Sequence, residues 1–321
     1  MLKKLASISK MILPLGIGIF FIYLSYNNTT PEDRENIFLH IKNAEYRFVL
    51  LSAVFGALSH ISRAYRWKFL LAPLGYRPRL INSVLAVLIG YVSNLGIPRS
   101  GELFRATVMD RFENIPFQKG FGTVIAERLV DLVILLCFIS LALILQFDLI
   151  WDILAKKSIN PVQIIIIIVS VVVVFLVLRK FINRSNNPIL NKIRLFFAGL
   201  WEGIISLKKM EHKWAFIGHT LFIWLMYLAM FYIIKFSIPE TASLGLESLI
   251  AAFVVGALAI SATNGGVGIY PFSVSLVLIA YGISKESSLA FGWIMWTSQT
   301  VMVVLFGSLA FFALPLVNRS K

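Results

Sequence analysis

The sequence predicts an all-α polytopic membrane protein with about six full spans and two re-entrant helix hairpins arranged as inverted repeats. Three observations carry this expectation. The 321 residues are 58% hydrophobic and only 14% charged, with a mean hydropathy of +0.82, more apolar surface than a water-soluble domain could cover with polar side chains. Uncharged runs such as PVQIIIIIVSVVVVFLVL at 161–178 and the stretch 291–316 reach the roughly 18 to 20 residues that cross about 30 Å of hydrocarbon. Two further apolar stretches, 80–112 and 246–282, are broken in the middle by NLGIPRSG (94–101) and SATNGGVGIYP (261–271). Unwound backbone is tolerated at membrane depth only where it is buried in protein or lines a cavity.

The elements follow in order. An apolar run at 11–26 comes after Lys3, Lys4 and Lys10, as in a signal peptide, but no small-residue cleavage site follows. The expectation is a retained signal-anchor helix with an external loop, 1–46. Spans are expected near 47–64, 122–147, 162–179, 214–236 and 289–316. Orientation follows from lysine and arginine, which stay cytoplasmic. Five basic residues lie between Arg63 and Arg79 and eight between Arg179 and Lys213, whereas the connections 27–47, 148–160 and 237–247 carry Glu32, Asp33, Glu35, Asp148, Asp152, Glu240 and Glu247 with few lysines. Both termini then lie in the cytoplasm, and the expected location is a bacterial inner (plasma) membrane.

Each broken stretch has flanks of one sidedness and must enter and leave on one side. The resulting pattern is span, hairpin, span over 47–147, then the same over 214–321 in the opposite direction. Residues 148–213 link the two with a span and a basic amphipathic helix over 184–211 on the cytoplasmic face. Inverted repeats with broken helices near the midplane are a transporter layout. The competing arrangement is eight to ten simple spans.

Charges cluster at the first break: Arg99, Glu102, Arg105, Asp110 and Arg111, then Glu127, Arg128 and Asp131. An ionisable group at the centre of a spanning helix costs roughly 2.5 to 3.5 kcal/mol on the mildest scale, so these side chains should be paired or should line a wet cavity. Two readings stay open: a salt-bridge network pinning the hairpin, or arginines that hold an anionic group such as a lipid phosphate while carboxylates orient them. At the second break Asn264, Gly265, Gly266 and Gly268 precede Pro271, which suits the first turn of a half-helix. Such a turn is either close-packed or an anion site made of backbone amides. Arg63, Arg66 and Trp67 close the second span, as an interfacial anchor or as the cytoplasmic mouth of a cavity.

Several classes are excluded. The +14 net charge is distributed between apolar runs and not among exposed aromatics, which points to topology and not to nucleic acid. One cysteine, Cys137, and four scattered histidines provide no metal set. No nucleophilic triad or nucleotide loop is visible, so neither catalytic residues nor cofactors are expected and an enzyme is disfavoured.

The segments RAYRWKFLLAPLG (63–75), IGYVSNLGIPRSGELFRA (89–106), GTVIAERLVDL (122–132) and TNGGVGIYP (263–271) resemble, in order and spacing, the membrane domain of the lysylphosphatidylglycerol synthase and flippase family. The most specific element is P-x-R-x-G-E-x-x-R followed by G-T-x-x-x-E-R-x-x-D, carried by Pro98, Arg99, Gly101, Glu102, Arg105, Gly122, Thr123, Glu127, Arg128 and Asp131. The resemblance implies a stand-alone flippase-like member, lacking the soluble synthase domain, that moves an anionic phospholipid or polyprenyl-phosphate lipid between leaflets. It also implies a separate lipid-synthesising enzyme as a partner. Two positions depart from the family: Pro271 where a glutamate is common, and Trp296 where an arginine is common. A lipid-modifying enzyme and an ion or small-solute transporter are the alternative classes.

Overall fold

A computed structural model describes residues 16–147, 210–263 and 265–319. Contacts divide the chain into two compact units, residues 1–128 with 212–321, and 129–211. Among the described residues the regular structure is helical, with no strand. The expected span at 162–179 and the basic amphipathic helix over 184–211, apart from its last two residues, lie outside the described residues.

Ten α-helices are described. They are α1 (Gly16–Asn27), α2 (Pro31–Lys42), α3 (Tyr46–Leu71), α4 (Leu80–Gly96), α5 (Ser100–Glu113), α6 (Phe117–Leu145), α7 (Lys213–Ile234), α8 (Leu246–Ala262), α9 (Ile269–Ala280) and α10 (Lys285–Val317). Four of them, α3, α6, α7 and α10, are long and apolar enough to cross a membrane, while α1, α4, α8 and α9 are shorter apolar helices. These four coincide with the spans expected near 47–64, 122–147, 214–236 and 289–316. A long helix, two shorter ones and another long helix therefore occur twice, as α3–α6 and α7–α10.

Two stretches differ from expectation. α3 runs on past residue 64 to Leu71 and buries Arg63 and Arg66, because the guanidiniums find partners inside the protein. Part of the loop expected within 1–46 is the helix α2. Thr30 and Asp33 form a capping box, the Thr30 hydroxyl accepting from Asp33 N–H at 3.1 Å while Thr30 N–H donates to the carboxylate at 2.9 Å. Pro31 occupies the first turn, where its missing N–H costs nothing.

Helices in lipid gain little from apolar burial and associate through close packing of small residues and buried polar contacts. α3 packs along α7, where Gly56 meets Met230, and also Met302 of α10, the Ser52 hydroxyl donates to the Met230 carbonyl at 3.3 Å and Ser62 bonds His219 at 2.8 Å. α4 and α5 fold onto each other through Gly90 and Gly101: a Cβ on Gly101 would stand 2.1 Å from the Gly90 carbonyl oxygen. At the open end of this hairpin, Asn82 at the start of α4 donates to Glu113 at the end of α5 and exchanges bonds of 3.0 and 2.9 Å with Asn318, the cap of α10. α8 and α9 pack likewise, and α10 lies against both pairs, with Gly307 on Val92 and Gly292 on the Pro271 backbone. α2 is clamped to α10 by Lys285 Nζ, 2.9 Å from the Asp33 carboxylate.

The Gly101 contact is backbone against backbone and cannot relax by side-chain rotation, so overpacking is costly. Gly101→Val should therefore give little monodisperse protein on size exclusion in detergent, while Gly122→Ala, which meets nothing within 4 Å, should behave like the parent. The Lys285 hydrogen bond, followed by the Thr30 backbone and hydroxyl, holds the Asp33 carboxyl at about 2, down from its ordinary 3.8. A depressed carboxylate contributes stability fully above its unfolded value and loses it as pH falls through the folded one. The gap in melting temperature between the parent and Asp33→Asn should thus be constant above about pH 5 and close as pH approaches 2.

Candidate functional site

Arg63, Arg66 and Trp67 stand at i, i+3 and i+4, a spacing that puts them on one face of α3. Thr123 and Glu127 share a face of α6 in the same way. The close approach of Gly90 and Gly101 lays α5 on α4, so that the Arg105 side chain passes over Gly90 towards α6. These three faces meet at the Glu127 carboxylate, which is 0% exposed.

Glu127 pairs with three arginines. Arg63 Nη1 donates to Oε1 at 2.7 Å, and Arg105 makes a two-pronged contact, Nη1 to Oε1 at 3.1 Å and Nη2 to Oε2 at 2.9 Å. Arg66 Nη2 lies 3.3 Å from Oε1, and its Nη1 donates to Thr220 at 2.9 Å. Trp67 Nε1 donates to Thr123 at 2.8 Å, and the Arg105 guanidinium lies 4.3 Å from the centre of the Trp67 ring, a cation–π contact. Arg63 also reaches Tyr227, which bonds Tyr91 at 3.1 Å, and the His60 ring stacks on Tyr91. Within the first unit, Arg63, Arg66 and Arg105 converge on Glu127, and Arg128 faces Glu102.

The other expected residues are distributed as follows. Glu102 and Arg128 form a separate and more open pair, with Arg128 Nε 3.2 Å from Oε1 and side-chain exposures of 38% for Arg128 and 18% for Glu102. Arg99 is exposed and caps α5 in the left-handed region with φ 59°, so it does not join Arg105. Asp131 is buried and belongs to the second unit. Asn264 lies outside the described residues. Gly265, Gly266 and Gly268 have φ of 66°, 78° and 69°, a turn that only glycine adopts freely. A Cβ on Gly265 would meet Leu95 at 2.6 Å, so the two breaks adjoin. The Gly265 carbonyl accepts from Trp296 Nε1 at 2.8 Å. A small cavity of about 10 Å³, room for roughly one water, is lined by Val87, Gly90, Tyr91, Asn94, Gly101, Arg105 and Arg128. The described glycines of the second break are not among its walls.

Arg63, Arg66 and Trp67, expected at an interface or mouth, are buried at 2%, 0% and 0% exposure. Their i, i+3, i+4 spacing, matched against Thr123 and Glu127 at i, i+4, is the signal that could have placed them. Thr220 and Tyr227 carry no such signal, because single hydroxyls are common in spanning helices.

A family model described as the lysylphosphatidylglycerol synthase TM region matches residues 11–307. The chain belongs to this family. The family places it among membrane proteins of lipid-related function. The UPF0104 membrane protein MJ1595 of Methanocaldococcus jannaschii is 34% identical over 99 residues, 30% of either chain. The glycosyltransferase AglD of Haloferax volcanii is 32% identical over 101 residues, 31% of this chain and 16% of that protein. The chain thus matches less than a third of the length of these relatives. No solved structure matches it.

Removing one partner from a buried ion pair leaves uncompensated charge and costs about 3–5 kcal/mol. Glu127→Gln, which keeps the shape and strands three guanidiniums, should lower unfolding stability in detergent by that amount. Arg47→Gln at the exposed Glu45 pair should change it by well under about 1 kcal/mol.

Proposed function

We propose that this protein moves an anionic phospholipid or polyprenyl-phosphate lipid between the leaflets of a plasma membrane. The observation that carries the reading is the pair of arginines, Arg105 and Arg128, that line a polar-walled cavity at the break between α4 and α5. Charge of that kind is expensive at membrane depth and marks a substrate pathway unless it is fully paired. Arginine suits a phosphate, since its planar fork matches two phosphate oxygens at once. On this reading Arg105 and Arg128 hold the phosphate at the cavity and the exposed Arg99 meets it at the turn. The α4–α5 and α8–α9 pairs act as re-entrant hairpins of two inverted repeats, with their adjoining turns at the midplane and both termini cytoplasmic. A separate lipid-synthesising enzyme would supply the substrate. The glycosyltransferase relative favours a second reading, in which the chain presents lipid to such an enzyme without moving it across.

The test is lipid movement in liposomes. Parent protein reconstituted in phosphatidylcholine vesicles should expose fluorescent phosphatidylglycerol of the inner leaflet to an external quencher faster than fluorescent phosphatidylcholine. A hydrogen bond to a charged group is worth about 1.5–3 kcal/mol, so Arg105→Ala, shown to be folded and inserted, should slow anionic lipid by at least about tenfold. Arg99→Ala should slow it less. Parent-like rates in both variants would rule out the assignment, and a parent that binds lipid without moving it would favour the second reading.

A further inference from the structure

The two carboxylates facing the arginines are held very differently. Glu127 is enclosed, accepts three hydrogen bonds from Arg63 and Arg105 and has a further ionic contact with Arg66, so it is a fixed member of the framework. Glu102 has one ionic contact among the described residues. Arg128 Nε lies 3.2 Å from Oε1 but is out of line for a hydrogen bond, and Oε2 is shielded from solvent without accepting any. A charge-assisted bond between guanidinium and carboxylate is normally shorter and two-pronged. A shielded oxygen left without a donor is a cost, not a gain.

The surroundings of this pair already contain what a phosphate requires. Arg105 and Arg128 both line the cavity, together with Tyr91 and Asn94. Asn94 engages its carbonyl with the Gly101 N–H at 2.7 Å, which leaves its amide hydrogens as the donors at that wall. α4 contributes no charged side chain. Within one turn of Glu102, α5 carries Arg105 and is capped by Arg99, and α6 supplies Arg128. At about 10 Å³ the cavity is too small for a phosphate, which needs more room than the roughly one water that fits.

We propose that Glu102 is a built-in substitute for the substrate's phosphate: its carboxylate occupies Arg128 when the cavity is closed, and an incoming phosphate monoester or diester displaces it. The inference rests on the lipid-transport reading and sharpens it by dividing the work, with Glu127 as the permanent counter-charge and Glu102 as the exchangeable one. No bond is made or broken. One anion replaces another on the same guanidinium, and Glu102 leaves towards the exposed face of α5.

The experiment is equilibrium binding of fluorescent phosphatidylglycerol to the full chain in phosphatidylcholine nanodiscs, read alongside the vesicle assay. Removing the competing carboxylate with Glu102→Gln should tighten binding by about fivefold, the scale of a half-exposed ion pair. Arg128→Gln should weaken it about tenfold or more, and Glu102→Gln combined with Arg128→Gln should bind no better than Arg128→Gln alone. Glu102→Asp, whose shorter side chain holds Arg128 less closely, should also bind more tightly than the parent and serves if the glutamine protein does not fold. Inorganic phosphate added to either protein separates the sources: competition at millimolar level identifies a free anion as ligand, and its absence identifies the lipid headgroup. Unchanged or weakened binding in both Glu102 variants would overturn the exchange and make Glu102 a structural or ligand-orienting group. A parent that binds in this pattern but moves no lipid would overturn transport while leaving the exchange standing.

Discussion

A single carboxylate, Glu127, sets the arrangement of the helices around it. A buried ion is unfavourable unless its lone pairs are filled and its charge is matched, and Glu127 meets both conditions only if α3, α5 and α6 approach from three directions. Arg63 and Arg66 come from one helix, Arg105 from another, and each guanidinium is steadied by a second neighbour: Tyr227, Thr220 and the Trp67 ring respectively. The interactions are cooperative in the sense that withdrawing any helix strands charge on the others. The glycine contact between α4 and α5 belongs to the same constraint, since a bulkier residue there would hold Arg105 away from α6.

The two breaks in the chain solve the problem of unwound backbone in different ways. The first uses side chains, with the Ser93 carbonyl receiving Ser100 and Asn94 receiving the Gly101 N–H. The second uses glycine geometry and one indole, the Trp296 N–H on the Gly265 carbonyl. Trp296 serves as a neutral donor to the turn, and the Pro271 backbone packs against Gly292 of α10. The charge of the described site accordingly sits on the first set of helices.

Much of this was legible in the sequence because hydropathy is a property of long windows. The four long helices and both broken pairs are placed within a few residues by apolar runs and by Gly96, Pro98 and the Gly265–Gly268 cluster. The grouping of Glu127 with charges near residue 100 was also legible from spacing. The burial of Arg63 and Arg66 was not, because a basic cluster after an apolar run ordinarily marks an exposed membrane-surface anchor. The partner on α6, distant in sequence, is what encloses that cluster within the protein. α2 was hidden for the opposite reason: it is short and polar, and its evidence was the Thr30-Pro31-Glu32-Asp33 cap and not hydropathy.

The joint of Asn82, Glu113 and Asn318 has a mechanical consequence. It fastens both legs of the α4–α5 hairpin, at their open end, to the cap of α10, so rotation of the hairpin about that joint leaves the joint in place and displaces the opposite end most. α4 has 17 residues, which at 1.5 Å each gives an arm of about 25 Å. A tilt of about ten degrees at the joint would carry the Ile97–Arg99 tip through roughly 4 Å by that lever length, a distance comparable to the width of a phosphate group. In such a tilt the asparagine pair would be the fulcrum, at the end of the hairpin opposite its tip.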